Sequence, residues 1–126
     1  MGYGTILVAD DDRDILQLLD MELSSEGYRV VPANSGQEAV KKAETFKPDL
    51  ILMDVLMPDI NGGQAIKMLR SSDKTKNIPV IFLTAMLSEE EERSGKMGIT
   101  IDGVAYSTLA KPFDGPKLLS QIHKYM

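Results

Sequence analysis

Six residues in this sequence carry groups suited to a phosphoryl group or to its metal: Asp10, Asp11, Asp12, Asp54, Thr84 and Lys111. Each stands at the end of an apolar run. Thr5 to Ala9 leads into the three aspartates, Leu50 to Met53 into Asp54, Val80 to Leu83 into Thr84, and Leu109-Ala110 into Lys111. If these runs are parallel strands, their ends meet at one edge of one sheet, the side on which open α/β sheets bind ligands. Carboxylates gathered there raise one another's pKa unless a cation or proton neutralises them. Magnesium suits the place, being a hard cation that uses one or two carboxylates and keeps its other positions for water and phosphate. Lys111 offers a mobile point charge for a phosphoryl oxygen and Thr84 a hydroxyl donor. A carboxylate can itself attack phosphorus to give an acyl phosphate. Asp54, alone at the end of the central run, is the best placed to do so.

The elements that must position these residues alternate. Ile15, Leu16, Leu19 and Leu23 recur at helical spacing, with Gly27 at the expected C-terminus. Tyr28 to Ala33 reads as a short strand. Ser35 with Glu38 makes a capping box before a helix bearing Ala39, Ala43 and Phe46, which Pro48 prevents from continuing. Leu50 to Met53 is apolar throughout, as a central parallel strand must be. A turn through Pro58, Asn61 and Gly62 precedes a third helix with Ala65, Ile66 and Leu69, and a fourth strand runs from Val80. From Ser88 to Thr100 a capped helix start is followed by four acids, Glu89 to Glu92, with Met97 as its one firm apolar anchor, so this helix would be loosely held. Residues Ile99 to Ser107 read as a long connection. A last helix carries Asp114, Pro116, Leu118, Leu119, Ile122 and Tyr125, with His123 as a solvated residue on it.

Five strands alternating with five helices imply a three-layer, doubly wound parallel sheet. In the flavodoxin-like strand order 2-1-3-4-5 the first and third strands are neighbours at the switch point, so Asp10, Asp11 and Asp54 crowd together. The 126 residues are expected to form one domain, 1–126. A net charge of −5 argues against direct nucleic-acid binding, which needs a basic face. No apolar run is long enough to cross a bilayer, and the absence of cysteine excludes disulfides and thiolate chemistry. With Met1-Gly2-Tyr3-Gly4 leading straight into a strand, the expectation is a cytoplasmic protein without a signal peptide.

The segments Ile6 to Asp12, Leu52 to Gly62 (LMDVLMPDING), Leu83-Thr84-Ala85 and Lys111-Pro112-Phe113 resemble, in order and over essentially the whole chain, the receiver domain of two-component response regulators. The resemblance implies that Asp54 accepts a phosphoryl group from a sensor histidine kinase or phosphotransfer protein. It implies that Asp11, Asp54 and the backbone carbonyl of Leu56 ligate Mg2+, with Asp10 helping through water. It further implies that Thr84 and Lys111 contact the phosphoryl group and that the Lys111-Pro112 peptide is cis. A downstream protein partner or output domain would read the switch, and phosphorylation-dependent homodimers are common in the family.

The chain departs from the family in two places. The family usually has an aromatic switch residue three positions before the lysine, but here that position is Thr108; Tyr106 stands two residues earlier, on the same face of a strand. The switch candidates are therefore Thr84, Tyr106 and Thr108. The connection from Gly98 to Lys111 is also longer than is usual. Apolar Leu56 and Met86, two residues after Asp54 and Thr84, occupy positions that flank the phosphoryl group in the family and predict slow self-dephosphorylation.

Three other readings compete with a signalling switch. An Mg2+-dependent phosphohydrolase of the haloacid dehalogenase type places an acid two residues after the nucleophile, where this chain has Leu56. A flavodoxin-like cofactor binder needs glycine, serine or threonine after its first strand, where Asp10 to Asp12 would repel phosphate. A receiver-like module acting without phosphorylation has no need of the intact motif. The expectation is a non-enzymatic switch.

Overall fold

The computed structural model describes residues 4–84, 99–111 and 115–126. Five strands form one parallel sheet: β1 (Thr5–Ala9), β2 (Arg29–Ala33), β3 (Leu50–Asp54), β4 (Val80–Thr84) and β7 (Thr108–Ala110), in the order β2-β1-β3-β4-β7. This is the expected flavodoxin-like order, with β7 as the fifth strand of the sheet. The helices are α1 (Arg13–Ser25), α2 (Gly36–Phe46), α3 (Gly62–Arg70) and α4 (Gly115–His123). The fourth of the five expected helices (from Ser88), the cis Lys111-Pro112 peptide, Met86 and the cap at Asp114 lie outside the described residues. Among those residues no helix is long and apolar enough to cross a membrane.

The continuous apolar runs of the inner strands are explained by burial on both sides. One face of the sheet, with Leu7, Ala9, Ile51, Met53 and Phe82, packs with Ala39, Ala43, Ala65 and Leu69 of α2 and α3. The other, with Ile6, Val8, Leu52, Ile81 and Leu83, packs with Leu19 and Leu23 of α1 and Leu118 and Ile122 of α4. Successive strand residues go to opposite faces, so the register of each strand is set by which side its neighbours occupy.

Helix ends follow the polar residues that begin them. Asp12 caps α1 by accepting from Asp14 N (2.9 Å), and Ser35 caps α2 by accepting from Glu38 N (3.1 Å). Asn61, expected only as a turn residue, makes a reciprocal capping box with Gln64 at the start of α3. Gly27 follows α1 with φ +94°.

The segment Ile99 to Ser107, expected as a plain connection, instead forms a hairpin. Strands β5 (Ile99–Ile101) and β6 (Val104–Tyr106) pair antiparallel, turning through Asp102 and Gly103 at φ +51° and +80°. Two successive residues with positive φ make the tight turn whose twist suits a hairpin, and Asp-Gly is a favoured pair for it. The alternation in Ile99-Thr100-Ile101 and the Asp-Gly pair were the sequence signal for it. Because only three residues a side are involved, that signal is short.

Candidate active site

Register brings the chemical residues to one edge. Ala9 pairs with Met53, so Asp10 and Asp54 emerge side by side; Asp54 pairs with Leu83, and Thr84 with Ala110, so Thr84 and Lys111 follow at the same edge. Asp10 N donates to Ala33 O of β2 (3.1 Å) and Lys111 N to Thr84 O (2.9 Å), which extends the strand pairing to the site residues themselves.

The three aspartates then divide. Asp10 is fully buried; its Oδ1 accepts from Asp12 N (3.0 Å). Asp12 turns away to cap α1, while Asp11 is left exposed beside Asp10. Carboxylate oxygens of Asp10, Asp11 and Asp54 lie within 4.8 Å of one another, close enough to share one cation. Asp54 is half-buried and accepts from Leu56 N through Oδ1 (3.3 Å). The Lys111 ammonium lies 2.6 Å from Asp10 Oδ2 and 3.2 Å from Asp54 Oδ2.

Burial alone would lower the pKa of Lys111, but the hydrogen bond and charge of Asp10, followed by those of Asp54, outweigh it and hold the pKa above the ordinary lysine range. The ammonium is therefore charged at neutral pH. Three carboxylates facing one ammonium remain short of positive charge, and all the candidate ligands are oxygen atoms, so the donor set fits Mg2+. Thr84 is buried at the end of β4, and Leu56 keeps 57% of its surface exposed beside Asp54.

Residues 6–123 match the response regulator receiver domain family. The chain belongs to that family. This receiver domain is 42% identical over 108 residues to the alkaline phosphatase synthesis transcriptional regulatory protein PhoP of Bacillus subtilis, an alignment covering 86% of this chain and 42% of PhoP. It spans about half, or less, of the length of PhoP and of several other curated relatives that it matches. Among solved structures, the chemotaxis response regulator CheY4 of Vibrio cholerae superposes with a TM-score of 0.81 at 32% identity, covering 97% of this chain and 98% of that one. The receiver domain of the sensor histidine kinase PA1611 of Pseudomonas aeruginosa, which holds a magnesium ion in its active-site cleft, gives 0.81 at 28% identity, covering 99% and 98%.

The receiver domain's remaining candidates stand elsewhere. Tyr106 and Thr108 do share a face: Thr108 is in register with Phe82, and the Tyr106 ring meets the Phe82 ring edge-on at 5.7 Å. Tyr106, however, precedes Lys111 by five residues of extended chain, about 16 Å at ~3.3 Å per residue. Its hydroxyl accepts from Arg70 Nε (3.3 Å), and the guanidinium lies 5.7 Å from its ring centroid. Thr108 is buried, and its hydroxyl has no hydrogen-bond partner among the described residues. A cavity of about 470 Å³ between α3, Pro79 and the hairpin opens at the opposite edge of the sheet from the aspartates.

Two structural contacts had no sequence signal. Arg70 fixes Tyr106 and the turn after α3, and Asp59 bonds to the start of α2, 22 to 23 residues earlier in the chain. Both act on segments distant in sequence, which neither periodicity nor a local motif displays.

Proposed function

We propose that this receiver domain is a phosphorylation-controlled switch in which Asp54 is the phosphoacceptor. The observation that carries this reading is the convergence on Asp54 of two further carboxylates within 4.8 Å and the Lys111 ammonium at 3.2 Å. A carboxylate oxygen of Asp54 forms a P–O bond as the P–N bond of a donor phosphohistidine breaks, and the departing imidazole takes up a proton. Asp10, Asp11, Asp54 and the Leu56 carbonyl would hold Mg2+, whose charge would offset that of the carboxylates and phosphoryl oxygens. Lys111 leaves its carboxylate partners for the phosphoryl oxygens, and the Thr84 hydroxyl donates to them from the adjoining strand. Thr84, Tyr106 and Thr108 are the residues through which the altered site would reach a partner surface.

The donor in this reading is a sensor histidine kinase or phosphotransfer protein in the cytoplasm, and the recipient a protein partner or output domain. Domain 1–126 acts as one module without turnover of a separate substrate. The absence of an acid at position 56, where Leu56 stands, supports the switch over a phosphohydrolase.

Intact mass after incubation with acetyl phosphate, with and without Mg2+, tests the reading. The expected result is a Mg2+-dependent gain of one phosphoryl group by the wild type and none by Asp54→Asn. An adduct that survives in Asp54→Asn, or no adduct from a protein shown to bind Mg2+, would overturn it.

A further inference from the structure

Between Asp54 and α3, residues 55–61 must hold the backbone of Leu56 beside the carboxylates; at the loop's ends Val55 N donates to Leu83 O (3.1 Å) and Leu56 bridges antiparallel to Asn61. At its far end Asn61 caps α3, and Gly62 N donates to Val55 O (2.9 Å). The middle of the loop is tied in addition to another helix. Asp59 Oδ1 accepts from Gly36 N (2.9 Å) and Oδ2 from Gln37 N (2.8 Å), the first two residues of α2. Ile60 lies over Gly36 so closely that a Cβ there would overlap Ile60 Cγ1 and come within 2.9 Å of Cδ1. Glycine at 36 is thus required by the loop's approach, not by its own backbone angles.

This attachment is more than a cap for α2. Ser35 already caps that helix through Glu38 N, so Asp59 takes the two remaining first-turn donors from a different part of the chain. The result is a closed circuit around the carboxylates. Asp10 N bonds Ala33 O; three residues on from Ala33, Gly36 bonds Asp59; three residues back from Asp59, Leu56 N bonds Asp54 Oδ1. Slight burial would raise the pKa of Asp59, but the N–H groups of Gln37 and Gly36, with those of Ile60 and Asp59 itself, prevail and hold it below the ordinary carboxylate range.

We propose that Asp59 is a positioning residue for the magnesium site: its carboxylate, seated on the start of α2, fixes the 55–61 loop so that the Leu56 carbonyl is held as a ligand. The inference rests on the proposed Mg2+ site. A partner that orients a metal ligand without touching the metal affects affinity, because displacing the ligand costs part of its bond.

The test is the Mg2+ dissociation constant, measured by calorimetry at 25 °C on wild type, Asp59→Asn, Gly36→Ala and Ser35→Ala, each shown to be folded by circular dichroism. Asp59→Asn weakens the loop's hold from the acceptor side and Gly36→Ala pushes Ile60 away from the helix side; both weaken Mg2+ binding by about tenfold. Ser35→Ala damages the same helix start without touching the loop and leaves the affinity within about twofold of wild type. Wild-type affinity in Asp59→Asn, or an equal loss in Ser35→Ala, overturns the positioning role while leaving the Mg2+ site standing. Should Asp59→Asn fail to fold, Gly36→Ala alone decides by the same comparison. A wild type that binds no Mg2+ overturns the site and the positioning role together.

Discussion

Lys111 balances a cluster that has more charge than it can neutralise. Its ammonium is the partner of a fully buried Asp10 and a half-buried Asp54, so replacing it with methionine strands a buried carboxylate. In metal-free buffer Lys111→Met is expected to lose about 1–3 kcal/mol in urea unfolding, less than a fully buried pair would, and to recover much of it on adding Mg2+. Equal losses with and without Mg2+ would show that the ammonium and the cation do not serve the same carboxylates. Leu56 acts on a different step. An apolar, largely exposed side chain beside Asp54 neither orients nor activates water, so Leu56→Asn is expected to shorten the phosphoryl lifetime by about tenfold, ~1.4 kcal/mol off the hydrolysis barrier. An unchanged lifetime would sink that account. Asp59 makes a pH prediction. With its folded pKa depressed, its contribution to stability is complete above the unfolded value of about 3.9 and is lost as pH falls through the lower folded value. The stability gap between wild type and Asp59→Asn should therefore be constant from pH 5 to 7 and close only below about pH 4.

At the scale of elements, the hairpin β5–β6 is the departure from a plain alternation, and, beside the edge-on packing of Tyr106 against Phe82, Arg70 at the end of α3 ties it to the turn before β4. Its Nη1 donates to Ile78 O (2.8 Å), Lys76 O (3.0 Å) and Thr75 O (3.3 Å), while Nε and the guanidinium plane engage Tyr106. One side chain thereby joins α3, the turn before β4 and the hairpin. Arg70→Ala is expected to destabilise by about 2–3 kcal/mol, because several acceptors lose a charged donor at once. Tyr106→Phe removes only the weak hydroxyl contact and should cost about 1 kcal/mol or less. Urea titrations of the two variants check the order. If Tyr106→Phe proves as costly as Arg70→Ala, the hydroxyl and not the carbonyl bonds is the anchor.

For the whole molecule, binding at the edge of the sheet is coupled to the stability of every strand that reaches it, since β1, β3, β4 and β7 each deliver a residue there. A ligand bound only by the folded state stabilises it by mass action. Mg2+ at ten times its dissociation constant should add about 1.4 kcal/mol to unfolding, and Asp54→Asn should reduce that gain. A gain of equal size in the mutant would place the ion elsewhere.

What the sequence by itself determined was the five strands of the parallel sheet, the helix start at Ser35, and the candidates Asp10, Asp11, Asp54, Thr84 and Lys111. Apolar runs bounded by polar residues are local features, and right-handed crossovers leave few ways to order such strands. Residues at the ends of parallel strands then share an edge by topology alone. Only the tertiary structure decided which aspartate is buried against Lys111 and which caps α1, because that depends on the strand register and on which of two similar hydrogen bonds, each spanning two residues, every carboxylate accepts. It alone gave Tyr106 a place beside Arg70, and tied Asp59 to α2 across more than twenty residues. Such contacts join segments that are distant in sequence, and they form only when the sheet has already brought the segments together.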